Sequence, residues 1–143
     1  MKPDFDECLK SKKLIRVETE REIASQELKE GESDLGAAKN DFGLKDWKWS
    51  TTKAYYAMFH AARALLYLKG FKERKSHACL IEGIRELYVK EGKFSLRFVE
   101  YLEAGKARRE DATYELTYSE EVAATYIQAA EEFISKAKES FTD

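Results

Sequence analysis

Apolar residues recur along this chain at helical intervals. Val17, Ala24, Leu28, Gly31, Leu35, Ala38 and Phe42 step by 7, 4, 3, 4, 3 and 4, one apolar seam on a long helix from about Val17 to Phe42 with charges on its other faces. A short helix over about residues 4–13 precedes it, with Pro3 near its start. From about Trp47 to Lys69 there are two stripes, Tyr55-Met58-Ala62-Leu65 and Tyr56-Phe59-Leu66, the mark of a central helix touched by several neighbours. Asp46 or Ser50 is its candidate cap.

Ser76 is a good cap for a fourth helix carrying Leu80, Ile81, Ile84, Leu87 and Tyr88 on one side. Ser95 opens a fifth, with Phe94 and Val99 placed as a hydrophobic staple and Phe98, Tyr101 and Leu102 on its core face. Thr117-x-x-Glu120 reads as a capping box for a sixth, lined by Val122, Tyr126, Ala129, Ala130, Phe133, Ile134 and Ala137. Gly43, Gly70 and Gly92 follow helical patterns at left-handed cap positions. The expectation is an all-α, antiparallel up-down bundle of five to six helices without a sheet, one domain over residues 1–143. Alternating directions put the loop between helices three and four at the same end as the loop between five and six.

Composition narrows the class. With 36% charged and 43% hydrophobic residues, disorder is excluded and a core is assured. A net charge of −2 gives no bulk attraction for nucleic acid, so any such binding needs a local patch. Cys8 and Cys79 have no C-x-x-C spacing and read as small buried hydrophobes in a reducing compartment, with no disulfide and no metal site. No run of apolar residues reaches membrane-spanning length and the N-terminus resembles no signal peptide, so a cytoplasmic location is expected. Abundant Lys and Glu beside Asn40, Gln26 and Gln128 as the sole amides fit a thermophile.

Candidate chemistry gathers in the two loops that share an end. Lys72, Arg74 and Lys75 lead into Ser76-His77, where free amides and the helix dipole favour an anion. Lys106, Arg108 and Arg109 stand in the other loop, with Tyr114 and Tyr118 close by outside the last helix's apolar stripe. The ligand-binding candidates are Lys72, Arg74, Lys75, His77, Arg108, Arg109 and Tyr114. The bland alternative is solvated loops neutralised by Glu73, Glu110 and Asp111. His60, one turn after Tyr56, belongs either to a buried hydrogen-bond network or to a site. No cofactor motif is present.

The stretch Ala54-Tyr55-Tyr56-Ala57-Met58-Phe59-His60-Ala61-Ala62-Arg63, followed by Gly70, Lys75-Ser76-His77 and Arg109-Glu110-Asp111-Ala112-Thr113-Tyr114, resembles a prokaryotic subfamily of the HEPN domain family over roughly residues 15–140. The resemblance implies a helical bundle that dimerises and pairs with a minimal nucleotidyltransferase in toxin–antitoxin-like pairs. Many relatives of that kind are metal-independent ribonucleases with an R-x(4–6)-H motif. Here Tyr114 stands where that histidine belongs, and Thr113 replaces the subfamily's aspartate. A tyrosine hydroxyl with a pKa of about 10 is a poor base at neutral pH. The leading expectation is therefore a domain that binds nucleotide or RNA phosphate, or the nucleotidyltransferase, without full ribonuclease activity. The alternatives are a ribonuclease using Arg109 with Tyr114, His60 or His77, and a purely structural helical partner.

Overall fold

The computed structural model describes residues 2–110 and 118–142, with the side chains of 108–110 outside that description. In chain order the elements are α1 (Phe5–Lys10), β1 (Leu14–Arg16), α2 (Arg21–Gly43), α3 (Trp47–Leu68), β2 (Phe71–Glu73), α4 (His77–Ile84), a π-helical turn (Arg85–Val89), α5 (Leu96–Glu110) and α6 (Glu120–Glu139). The all-α expectation holds, and helices α2, α3 and α6 form the trunk, with α3 packed most extensively on α2 and then on α6.

Small residues explain why α2 and α3 lie so close. Ala24, Gly31 and Ala38 are buried on α2, Gly31 lies against Ala57 and Ala61 of α3, and Ala54, Ala62 and Ala64 are fully buried on the same helix. A Cβ at Gly31 would stand 2.8 Å from the Ala57 carbonyl oxygen, so only glycine fits there. The other half of the core is aromatic: Phe94, Phe98, Phe133 and Tyr88 meet edge to face at 5.3–5.8 Å, the arrangement ring quadrupoles favour. Tyr88 keeps its hydroxyl satisfied by donating to the Leu65 carbonyl at 2.7 Å.

Asp46 accepts from the Trp49 amide and Ser76 from the Cys79 amide, as the sequence suggests, and Asp4 and Glu7 add a capping box on α1. Ser50 instead donates to the Ala38 carbonyl at 2.8 Å, tying α3 to α2. Thr117 lies outside the described residues, and α6 is capped by Ser119, which accepts from Val122. Gly70 and Gly92 adopt positive φ as expected, whereas at the α2–α3 turn it is Lys45, not Gly43, that does so.

Two expectations need correction. The chain has a sheet: β1 and β2 pair antiparallel, Leu14 opposite Glu73 and Arg16 opposite Phe71. Val17 therefore lies outside α2, its amide donating to the Gly70 carbonyl at 2.8 Å. Cys8 and Cys79 are not separate thiols but one disulfide, with Cα atoms 5.6 Å apart, fastening α1 to α4. Neither partner carries a spacing signal, because helix packing alone brings them together. No described helix is long and apolar enough to cross a membrane.

Candidate functional site

Four residues of α3, each a turn or less apart, organise the polar end of the molecule: Tyr55, Phe59, His60 and Arg63. Tyr55 is buried, and its hydroxyl shares a 2.6 Å hydrogen bond with His77 Nδ1 at the first residue of α4. The two rings stack 6.0 Å apart at 12°, and Phe59 lies 4.3 Å from the same imidazole. His77 is thus held by an aromatic bed and a hydroxyl. Gly105 of α5 makes this bed fit, because a Cβ there would sit 2.2 Å from Tyr55 Cδ1.

Beside the bed runs a chain of ion pairs. Arg63 reaches Glu73 through Nε at 2.7 Å and through a terminal nitrogen at 2.6 Å, and it also faces Glu27 at 3.8 Å and the Phe59 ring at 5.0 Å. Glu73 is only 4% exposed, and its second oxygen accepts from the Ser76 amide at 3.2 Å. An internal carboxylate therefore takes part of the amide capacity at the start of α4 that the sequence reading assigned to an external anion.

His60 stands at the far end of this chain. Its Nδ1 lies 2.9 Å from Glu27 and its Nε2 lies 3.5 Å from Asp34, both carboxylates on α2. The hydrogen bond that the ring donates to Glu27 raises the imidazole pKa above its ordinary value; partial burial opposes this, and the negative charges of Glu27 and Asp34 reinforce it. Burial likewise raises the Asp34 carboxyl, against the attraction of His60. His60 is thus part of a half-buried hydrogen-bond network with Glu27 and Asp34. Glu27, Asp34 and Glu73 were not candidates in the sequence, since a lone acidic residue on a charged helix face carries no signal.

Lys72, Arg74 and Lys75 are exposed along β2 and its exit. With Ser11, Lys12, Arg63 and Glu73 they line an open groove of about 580 Å³. Lys106 and Ala107 of α5 share a smaller cavity of about 160 Å³ with Ala78 and Ile81 of α4, Lys2 and Pro3. The described backbone thus carries α5 toward the first turn of α4. Arg108 and Arg109 continue that helix, but their side chains lie outside the described residues, as does all of Tyr114. Among the described residues, no cluster of three His, Cys, Asp or Glu side chains is arranged to hold a metal ion.

Comparison with known proteins places this arrangement. Residues 24–140 match the family model described as the HEPN domain. One protein of Methanocaldococcus jannaschii, called a "putative toxin", is 30% identical over 141 residues, covering 92% of this chain and 98% of that protein. A second from the same organism, under the same description, is 23% identical, covering 88% of this chain and 86% of its own length. A Pyrococcus horikoshii protein named UPF0332 is 43% identical over 53 residues, 37% of each chain.

Proposed function

The chain belongs to the HEPN domain family, and from that premise we propose that it is the toxin-like half of a toxin–antitoxin-like pair. In this reading it binds nucleotide or RNA phosphate at the end of the bundle where α4 begins, and its protein partner is a minimal nucleotidyltransferase. The description of two relatives as toxins supports the setting. The observation that carries the phosphate reading is the group Lys72, Arg74 and Lys75, exposed beside the first turn of α4, toward which α5 carries Arg108 and Arg109.

Full ribonuclease activity is not part of this reading. His60 has a carboxylate at each ring nitrogen and a raised pKa, so it is held toward the imidazolium form. Tyr114 also stands where the motif's histidine belongs, and a tyrosine hydroxyl is a poor base at neutral pH. One observation favours the ribonuclease as a second reading: His77 opens α4, and Lys106 and Ala107 of α5 reach the first turn of that helix.

A two-fold homodimer, the commonest small assembly, is the expected state and would appear as a dimer mass in light scattering at micromolar concentration. The expected compartment is the cytoplasm. A Cys8–Cys79 bond persists there in cells whose intracellular proteins keep structural disulfides, as those of hyperthermophiles do, and the Lys- and Glu-rich, amide-poor composition fits such a source.

The test is RNA and nucleotide binding at low salt. Replacing Arg108 and Arg109 by alanine should weaken binding, with the melting temperature measured alongside to separate that loss from misfolding. If Tyr114→Phe abolishes a measurable RNA cleavage without loss of folding, the ribonuclease reading replaces this one. If nothing binds and neither change matters, the chain is a structural partner.

A further inference from the structure

Among the described residues, six cations that meet no carboxylate gather on and beside the two-stranded ribbon. The Arg74 amide donates to the Lys13 carbonyl at 2.8 Å and Ile15 stands opposite Lys72. That register brings the turn carrying Lys10, Lys12 and Lys13 beside Lys72, Arg74 and Lys75, a neighbourhood invisible in the sequence. All six side chains are exposed. Among the described residues none of them meets a carboxylate, whereas Lys39, Lys53, Lys69, Lys90, Arg97 and Lys138 each do. The carboxylate within the groove, Glu73, is buried and already taken by Arg63.

The geometry suits a repeating anion. β2 alternates strictly, with Phe71 and Glu73 inward and Lys72 outward. Arg74 continues the outward row, and residues two apart on a strand stand about 7 Å from each other. Lys72 and Arg74 therefore form a row along the ribbon, with Lys13 beside Arg74 and Lys10, Lys12 and Lys75 near its end. Two of them are also held in an unfavourable backbone state: Lys12 (φ 61°) and Lys75 (φ 52°) are left-handed, a conformation glycine adopts freely and lysine does not, and both border the groove.

We propose that this ribbon binds a nucleic-acid strand by its phosphodiester backbone, through Lys10, Lys12, Lys13, Lys72, Arg74 and Lys75. The inference rests on the phosphate reading above and extends it to a surface partly outside the matched family region, which begins at residue 24. Backbone contacts need cations alone and carry no sequence information. A folded protein partner needs an apolar centre to its interface, and the ribbon has none, because Leu14 and Phe71 are buried and Ile15 is half-buried. An anionic lipid surface would also attract such a cluster, so vesicles of anionic lipid that compete as well as the homopolymer would overturn the assignment.

The experiment uses the full chain and a labelled uridine homopolymer, with affinity measured by anisotropy over a salt series. For a single strand, each phosphate contact contributes about 0.7 to the slope of log affinity against log salt. Replacing Lys10, Lys12 and Lys13 together by glutamine should therefore flatten the slope by about 2. The triple arginine variant should keep the wild-type slope, which separates charge loss from misfolding. Lys12→Gly should weaken binding while raising the melting temperature, because it relieves the left-handed strain. An unchanged slope in the glutamine variant, with wild-type binding intact and sensitive to Arg108 and Arg109, overturns the ribbon and leaves the phosphate reading standing. Wild-type protein that binds no homopolymer at low salt overturns both. Polyglutamate competing as well as the uridine homopolymer overturns the assignment to nucleic acid.

Discussion

Replacing Gly105 by alanine should destabilise the protein, while the same replacement at Gly36 should stabilise it. The added Cβ at 105 would lie 2.2 Å from Tyr55 Cδ1, 2.9 Å from Cε1 and 3.0 Å from Cγ. The ring has nowhere to retreat: Tyr56 and Phe59 pack at 5.4 and 6.3 Å, and the hydroxyl is tied to His77 at 2.6 Å. Overpacking a core costs about 1–3 kcal/mol, and displacing the Tyr55–His77 hydrogen bond adds about 1 kcal/mol. Alanine's better helix propensity returns about 1 kcal/mol, leaving a net loss of about 1–3 kcal/mol. For a chain near this size each kcal/mol is about 2–4 °C of melting temperature. At Gly36, which is exposed on α2, an added Cβ meets nothing within 4 Å, so only the propensity gain of about 0.5–1 kcal/mol remains. Thermal unfolding followed by circular dichroism reads both changes. A Gly105→Ala protein that melts at or above wild type would refute the packing of α5 on Tyr55 and the seating of His77 derived from it.

Three further outcomes follow from particular contacts. Tyr88→Phe removes the donor to the buried Leu65 carbonyl and should cost about 1–2 kcal/mol in urea unfolding; an unchanged midpoint would count against that bond. The raised His60 pKa means that its contribution to stability is full below the ordinary value of 6.5 and is lost as pH rises through the higher folded value. Stability should therefore fall from slightly acid to slightly alkaline pH, and His60→Gln should flatten that dependence; equal pH profiles for the two proteins would remove the Glu27–His60–Asp34 network from the account. The Cys8–Cys79 bond closes a loop with a sequence separation of 71, for which chain entropy gives about 4 kcal/mol. Cys8→Ser with Cys79→Ser should melt well below wild type, and unfolded wild type should show no titratable thiol without reductant.

The helices were legible because their seams are long. Ala24, Leu28, Gly31 and Ala38 fall on one buried stripe of α2, and the two stripes of α3 mark it as the central helix it is. What escaped had short or distant causes. Leu14–Arg16 is three residues, too brief for a two-residue period to show, and its partner Phe71–Glu73 lies beyond two helices. The disulfide had the same origin. At the site, Tyr55, His60, His77 and the loop cations were visible as residue types, but their pairings were not. Burial of Glu73 under Arg63 is a property of the packed chain, and it decides which cations are spoken for and which face outward.

The disulfide also has a topological side. The stretch from Cys8 to Cys79 contains the whole α2–α3 hairpin, including its exposed turn, where Leu44 is 72% accessible and Lys45 is left-handed. That turn is the natural place for a protease to cut. A nick there would not release a fragment, because the two pieces remain joined through Cys8 and Cys79. The cut chain would travel as an intact molecule on a gel and fall into two pieces only when reduced. The backbone could thus be broken at its most vulnerable point while the end bearing His77 stayed tethered to the trunk.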